Sequence, residues 1–276
     1  MTRRFPKLGW NLLGLLVFVV LVFPVFWMVS TSFKSNDQIY SVTPTRFPRH
    51  PTLNHFEAAI HRQYFWTDAK NSLIVVVATV VIALALSFFA AVALAKYRFS
   101  GRKLFIVLVI GIQMIPQAGL IIPLYKLLAN HNQVDKLTGV IVVYLTFALP
   151  FCVWTLRGFL LGIPKDLEEA AMVDGSSRVG AFVRILLPLV APGLVATSVF
   201  AFITSWNEYI FASTILSSGN KQTITVFLAN LYGGNRFVDW GEIMAASTLI
   251  AIPVVIFFLL VQRRIAFGLT AGAVRG

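Results

Sequence analysis

The stretch EEAAMVDGSSRVGAFVRILLPLVAP, Glu168–Pro192, begins polar and ends in oil. Three carboxylates (Glu168, Glu169, Asp174) and two arginines (Arg178, Arg184) surround Gly175, and an apolar run follows. Pro164, just upstream, suits the first turn of a helix, where its missing N–H would be unpaired in any case. Asp166, Glu168 and Glu169 then fall where carboxylates meet the positive end of the helix dipole. Ala170, Ala171 and Met172 continue the helix as good formers. Gly175, after Asp174, fits the left-handed position at which many helices end. Ser176 or Ser177 can cap a second helix, which runs through Phe182 and Ile185 into Leu187 and Pro188. The expectation is a short helix, a glycine turn and a second helix lying on a surface. Ala170 and Ala171 would leave a flat face for a partner. Taken as residues alone, a solvated amphipathic connection is the plainer reading.

What surrounds this stretch is unusually apolar. Of 276 residues, 58% are hydrophobic and 12% charged, against about half and a quarter in soluble domains. Six runs approach the roughly 20 apolar residues that cross a bilayer: residues 10–33, 71–95, 104–124, 137–156, 185–215 and 243–262. In lipid the backbone must satisfy its own hydrogen bonds, so runs of this length are helices. The expected architecture is an all-α integral membrane protein with six transmembrane helices, forming a single domain over residues 1–276.

The formal net charge of +12 does not point to nucleic acid, because the basic residues gather at span ends rather than in a stripe with exposed aromatics. With the N-terminus inside, the inner segments hold 14 of the 23 Lys and Arg in 59 residues, and the outer ones 9 in 76. That twofold bias follows the positive-inside rule and places both termini in the cytoplasm. It also places the Glu168 stretch, between spans four and five, on the cytoplasmic side. The apolar run after Arg3 and Arg4 extends to Met28 with no small-x-small cleavage site after it, so it reads as a retained helix, not a signal peptide. Cys152, the only cysteine, lies inside the fourth run, which excludes an internal disulfide and a thiolate cluster.

Between spans one and two, TLNHFEAAIH (Thr52–His61) predicts a short helix capped by Asn54. Ser217–Trp240 is an outer loop with an apolar middle that can lie at the interface or dip toward the bundle. Seven of twelve prolines, Pro24, Pro116, Pro123, Pro150, Pro188, Pro192 and Pro253, fall within or beside spans. Each removes a backbone donor and kinks its helix, which suits ordinary bundle packing and a bundle bent around a pathway alike.

Enzyme chemistry has little to work with. His50, His55, His61 and His131 all fall in expected outer loops, and none forms H-E-x-x-H. There is no phosphate loop of the G-x-x-x-x-G-K-[ST] type, so no nucleotide, other cofactor or metal is expected on this chain. No charged residue sits deep in the first four runs, which opposes an ion-coupled carrier. Candidates for a polar pathway are Gln113 and Gln117, placed i,i+4 on one face of span three, and Trp206, Asn207 and Glu208 in TSWNEY (Thr204–Tyr209). An aromatic stripe, Tyr144, Phe147, Phe151 and Trp154, joins them on span four. Helix packing explains the stripe as well as a ligand does, and Glu208 is open to an interfacial or inter-subunit role.

Set against known families, EAAMVDGSSRVGAFVRILLP resembles the cytoplasmic EAA loop of ATP-binding-cassette importer permeases. The pattern E-A-A, three residues, Gly, nine residues, Ile, one residue, Leu-Pro is met by Glu169, Ala170, Ala171, Gly175, Ile185, Leu187 and Pro188. TSFK, MIPQAGLIIPLY, SWNEYIFA, DWGEIMAAS and the terminal GLTAGAVRG extend the resemblance to permeases of the maltose-transporter type. The resemblance implies a coupling helix that docks on an ATPase, with Glu169, Ala170, Ala171 and Asp174 at the docking face, Gly175 permitting the turn and Pro188 redirecting the chain. The tail after Gln262 resembles family tails that reach toward the ATPase. It further implies a second related permease, an ATPase dimer carrying ATP and Mg, an extracytoplasmic binding protein and a bacterial or archaeal plasma membrane. The implied substrate is a carbohydrate, an oligosaccharide first, with polyols and glycerol phosphate as alternatives in the same group.

Overall fold

The computed structural model describes the backbone of residues 5–164, 166–233 and 238–273, and side chains over 9–164, 166–233 and 238–262. All regular structure among the described residues is helical. Two compact units emerge, one of Met1–Trp66 with Phe227–Ile252 and one of Thr67–Val226 with Pro253–Gly276.

In the first unit, α1 (Phe5–Ser32) is the first long apolar helix. Its side chains from Gly9 to Val25 are exposed on the isolated chain, as suits a helix with lipid or another chain around it. After α2 (Asn36–Ile39) comes α3 (Asn54–His61), the short helix expected there. Asn54 is not its cap. It lies in the first turn, and its own N–H donates to Thr52 Oγ1 at 3.2 Å. Arg62, just beyond, grips Glu242 with two bonds, Nε to Oε1 at 2.6 Å and Nη2 to Oε2 at 2.9 Å. Glu242 is buried at 4% exposure, so this fork satisfies a carboxylate that would be costly unpaired.

The remaining long helices fall wholly or mostly in the second unit, except the last, which is divided between the two. Most of α4 (Phe65–Lys96) belongs to the second unit, and α4 starts earlier than the expected 71, so Asp68 is in its first turn and buried rather than in a loop. The run over 104–124 is not one rod. It is α5 (Arg102–Gln113) and α6 (Gln117–Asn130), bent by 104°. Pro116 explains the break: it lacks an N–H, and it drives the preceding Ile115 out of helical geometry. Next come α7 (Leu137–Leu161), α8 (Asp166–Val173) and α9 (Arg178–Ala181). A π turn over Phe182–Leu186 leads into α10 (Leu187–Trp206). The fifth run also breaks: α10 stops at Trp206, and α11 (Ile210–Ile215) begins after three residues outside any helix. The apolar middle of Ser217–Trp240 forms α12 (Ile224–Gly233), most of it in the first unit, and α13 (Trp240–Ala273), divided between the units, contains the sixth run.

Three layers hold the second unit together. Phe88, Ala91, Leu156, Leu160, Leu186 and Val190 pack at one end. Ala83, Ala148, Cys152 and Ala201 form the middle. Val75, Val140, Val143, Tyr144 and Phe211 are in the third layer. Small residues at the middle let backbones approach, which is how helices associate where lipid removes the hydrophobic drive. Gly193 shows the tolerance: a Cβ built on it would stand 2.7 Å from Phe159 Cγ.

Polar ties mark the two ends of α7. At its C-terminal end, Lys96 at the end of α4 pairs with Glu168 of α8. At its N-terminal end, Asp135 clamps the segment after α11. Its Oδ1 accepts from Ser217 N and Ser218 N at 3.0 and 2.9 Å, and its Oδ2 from Ser218 Oγ and Lys221 Nζ at 2.6 and 2.7 Å. Led by the Lys221 bond, these contacts hold the Asp135 carboxyl well below the usual carboxylate range.

Candidate functional site

The loop after α7 is wound by its own backbone. Gly175 has φ +90°, and its N–H donates to Met172 O at 3.1 Å while Ser176 N–H donates to Ala171 O at 2.9 Å. This crossed pair is the Schellman ending that a glycine permits. Of the two serines able to cap the next helix, Ser177 does so: its Oγ accepts from Gly180 N at 3.1 Å. Leu187 N–H then reaches Phe182 O, five residues back. The register has a local reason, since Pro188 offers no N–H and its ring would clash with the Arg184 carbonyl in an α turn.

The faces of this loop differ from the expected flat pair of alanines. Ala171 is turned inward, 7% exposed, together with Ala181 at 3%. Glu169, Ala170 and Asp174 are exposed, and so are Val173 at 87% and Val179 at 73%. Nothing in the sequence sets Glu168 apart from Glu169. Its tie to Lys96 spans 72 residues, and no local spacing signals it.

A second arrangement surrounds the breaks in α5–α6 and α10–α11. A cavity of about 470 Å³ is lined by Gln117, Tyr144, Phe147, Thr204, Asn207, Glu208 and Tyr209 among others. Gln113 lines an adjoining hollow of about 150 Å³ that shares Gln117, Phe147 and Phe200 with it. The two glutamines therefore come together through the bend, not along one helical face. Phe151 stacks on Phe200 in that hollow, with ring centroids 3.6 Å apart. Trp206 is not among the lining residues. It is buried at 3% exposure, and its ring lies parallel to that of Phe202.

Glu208 has a specific task here. Its Oε1 accepts from Phe211 N at 2.7 Å and its Oε2 from Ala212 N at 3.0 Å. The carboxylate thus caps the N-terminus of α11 and meets the dipole there. Its backbone carbonyl accepts from Thr225 Oγ1 at 2.8 Å and Tyr144 Oη at 3.5 Å. The chain break is held on both sides, and Gln117, Thr204 and Asn207 remain at the cavity wall beside Tyr144, Phe147 and Tyr209. Polar groups among aromatic faces suit a polyhydroxylated ligand.

Residues 83–270 match the family described as binding-protein-dependent transport system inner membrane component. The chain is 42% identical over 275 residues to permease protein DasC of the diacetylchitobiose uptake system of Streptomyces coelicolor, covering 99% of this chain and 98% of that one. It is 35% identical to permease protein SugB of the trehalose transport system of Mycobacterium tuberculosis, covering 97% of each. In a crystal structure of a bacterial ABC transporter that imports the acidic polysaccharide alginate, one chain superposes with a TM-score of 0.80 at 23% identity, covering 95% of this chain and 98% of that one.

Proposed function

The chain belongs to the family of binding-protein-dependent transport system inner membrane components, and we propose that it is the permease subunit of an ATP-driven importer for a carbohydrate, an oligosaccharide first. It works with a second permease, an ATPase pair that carries ATP and Mg, and an extracytoplasmic sugar-binding protein. The family is one of non-catalytic membrane subunits, so this chain transmits motion and lines a path. The named sugar systems among its relatives support the substrate class.

Residues 1–276 act as one permease domain with both termini in the cytoplasm. Contacts support six crossings. Lys96 meets Glu168 beyond the end of α7, and Asp135 meets Ser218 before its start. A helix of 25 residues separates these ties, about 37 Å at 1.5 Å per residue. Between Lys96 and Asp135 the chain must travel that length, so the bent pair α5–α6 is read as a broken span.

The observation that carries the reading is the loop over Glu168–Pro188, tethered at Glu168, closed at Gly175 and showing Glu169, Ala170, Val173 and Val179 outward. It is the coupling helix, placed to dock on the ATPase. The tail after Gln262 falls outside the residues with described side chains, and its approach to the ATPase remains part of this proposal. The test is a double variant, Glu169→Lys with Gly175→Val. A β-branched residue at φ +90° costs about 1–2 kcal/mol locally, too little to unfold the bundle, while the new charge repels the docking surface. Reconstituted complexes should assemble, yet ATP hydrolysis should lose its stimulation by loaded binding protein and uptake should fall at least tenfold. Normal uptake by the double variant overturns the coupling role.

A further inference from the structure

A second cavity lies in the first unit, at the end of α1. It measures about 390 Å³ and is lined by Trp27, Thr31, Lys34, Tyr40, Thr45 and Trp240 among others. Lys34 is its unusual member. The residue is 2% exposed, and its Nζ sits 4.2 Å from the centroid of the Trp27 ring. A ring face offsets only part of the hydration that a buried ammonium gives up.

Among the described residues, no carboxylate lines this cavity. Asp37, on α2, is exposed and is not among the lining residues; Glu242 is held by Arg62; and Asp239 accepts from Glu242 N–H at 3.1 Å and faces His55 at 3.8 Å. The other polar groups increase the excess of donors. Thr31 Oγ1 and Thr45 Oγ1 are buried without a hydrogen-bond partner, and Thr31 as a residue is 6% exposed. Gln38 Oε1 is already used by Arg49 N–H. Tyr40 Oη accepts from Trp240 N–H and donates to Val238 O. One ammonium and two idle hydroxyls therefore await an acceptor, and an oxyanion satisfies all three.

The surroundings indicate where the anion comes from. The cavity begins where the exposed apolar stretch of α1 ends, and Trp27, Tyr40 and Trp240 form the sort of aromatic rim that sits at headgroup depth. We propose that this cavity holds the phosphodiester headgroup of an anionic phospholipid, with Lys34 pairing to the phosphate, Thr31 and Thr45 donating to it, and the acyl chains lying along α1.

The test uses the full chain purified in its membrane complex and titrated with phosphatidylglycerol, with native mass spectrometry counting bound lipid. Lys34→Met keeps the length of the side chain and removes the charge. One tightly held lipid per chain should bind at least tenfold more weakly, Lys34→Arg should retain it, and phosphatidylcholine should not replace it. Equal lipid retention by Lys34→Met overturns the proposal. If the methionine variant fails to assemble, the pair Thr31→Val with Thr45→Val decides: severalfold weaker binding supports the site, and unchanged binding refutes it. Inorganic phosphate and glycerol 3-phosphate separate the sources. Displacement of the lipid by either at millimolar concentration would make this a solute site and overturn the lipid assignment.

Discussion

Replacing Glu208 should loosen α11 before it affects anything else. Phe211 and Ala212, whose N–H groups the carboxylate receives, are 2% and 0% exposed. Leucine at 208 leaves both donors buried and unpaired. An orphaned donor costs about 1–3 kcal/mol, and bonds to charged acceptors fall in the upper part of that range. Allowing for local relaxation, the pair amounts to about 2–4 kcal/mol of lost local stability. Each 1.4 kcal/mol is about tenfold in an equilibrium, so the local opening of α11 should become roughly 30- to 700-fold more frequent. Glutamine keeps one acceptor oxygen and loses the charge, which corresponds to about 1–2 kcal/mol and roughly tenfold. Hydrogen exchange reads this directly, because amide protection reports the opening free energy of the segment that carries it. A peptide covering Tyr209–Leu216 should exchange faster in the order wild type, Glu208→Gln, Glu208→Leu, while peptides from α4 and α7 stay unchanged. Transport should follow the same order, since the cavity wall at Asn207 and Tyr209 is set by that cap. Leucine-variant protection within about threefold of wild type would refute the capping argument.

Lys96→Met should release α8 from the end of α4, and limited proteolysis between Leu161 and Asp174 should become severalfold faster with the spans intact. Gly193→Ala should force its new methyl against Phe159 and destabilise the α7–α10 packing by about 1–3 kcal/mol, read as a lower melting temperature of the purified complex; an unchanged melting temperature means the ring moves aside freely. Asp135→Asn removes a charge-assisted clamp at a partly exposed turn and should lower stability by about 1–2 kcal/mol. Because the folded Asp135 carboxyl titrates below its ordinary value, that difference is fully present above the unfolded value of about 3.9. It shrinks as pH falls from there through the folded value. Melting curves of both forms at pH 7, 5 and 3 should therefore differ equally at the first two and less at the third.

Much of the loop was legible because its signals are local. Gly175 after a helix, Ser177 before one and carboxylates in a first turn act within five residues, and all three appear as expected. Ala171 cannot be told from Ala170 in sequence, because two adjacent alanines on a helix face directions 100° apart, and only packing against the bundle decides which one is covered. Pro116 reads as a kink in sequence, but it ends a helix, which puts Gln113 and Gln117 on two sides of a bend instead of on one face. Glu208 stands out in sequence as an ionisable residue in an apolar run. Its partners, the amides of Phe211 and Ala212, become available only because α10 stops at Trp206. Glu168 carried no signal in one dimension, since its partner Lys96 lies 72 residues away, and nothing local marks Lys34 and Asp68 as buried.

The turn at Phe182–Leu186 winds five residues where an α turn takes closer to four. Each residue of an α-helix advances the side chains by about 100° around the axis. Without that extra residue, everything before it would be rotated by about a quarter of a circle relative to α10. Glu169 and Val173 would then face a different neighbour, and the Lys96 tether to Glu168 would be out of reach. Pro188 keeps the extra residue in place because it cannot accept the tighter register. The aim of the whole polar loop is thus set in angle by one ring on the membrane helix, which works like the key that fixes a gear on its shaft.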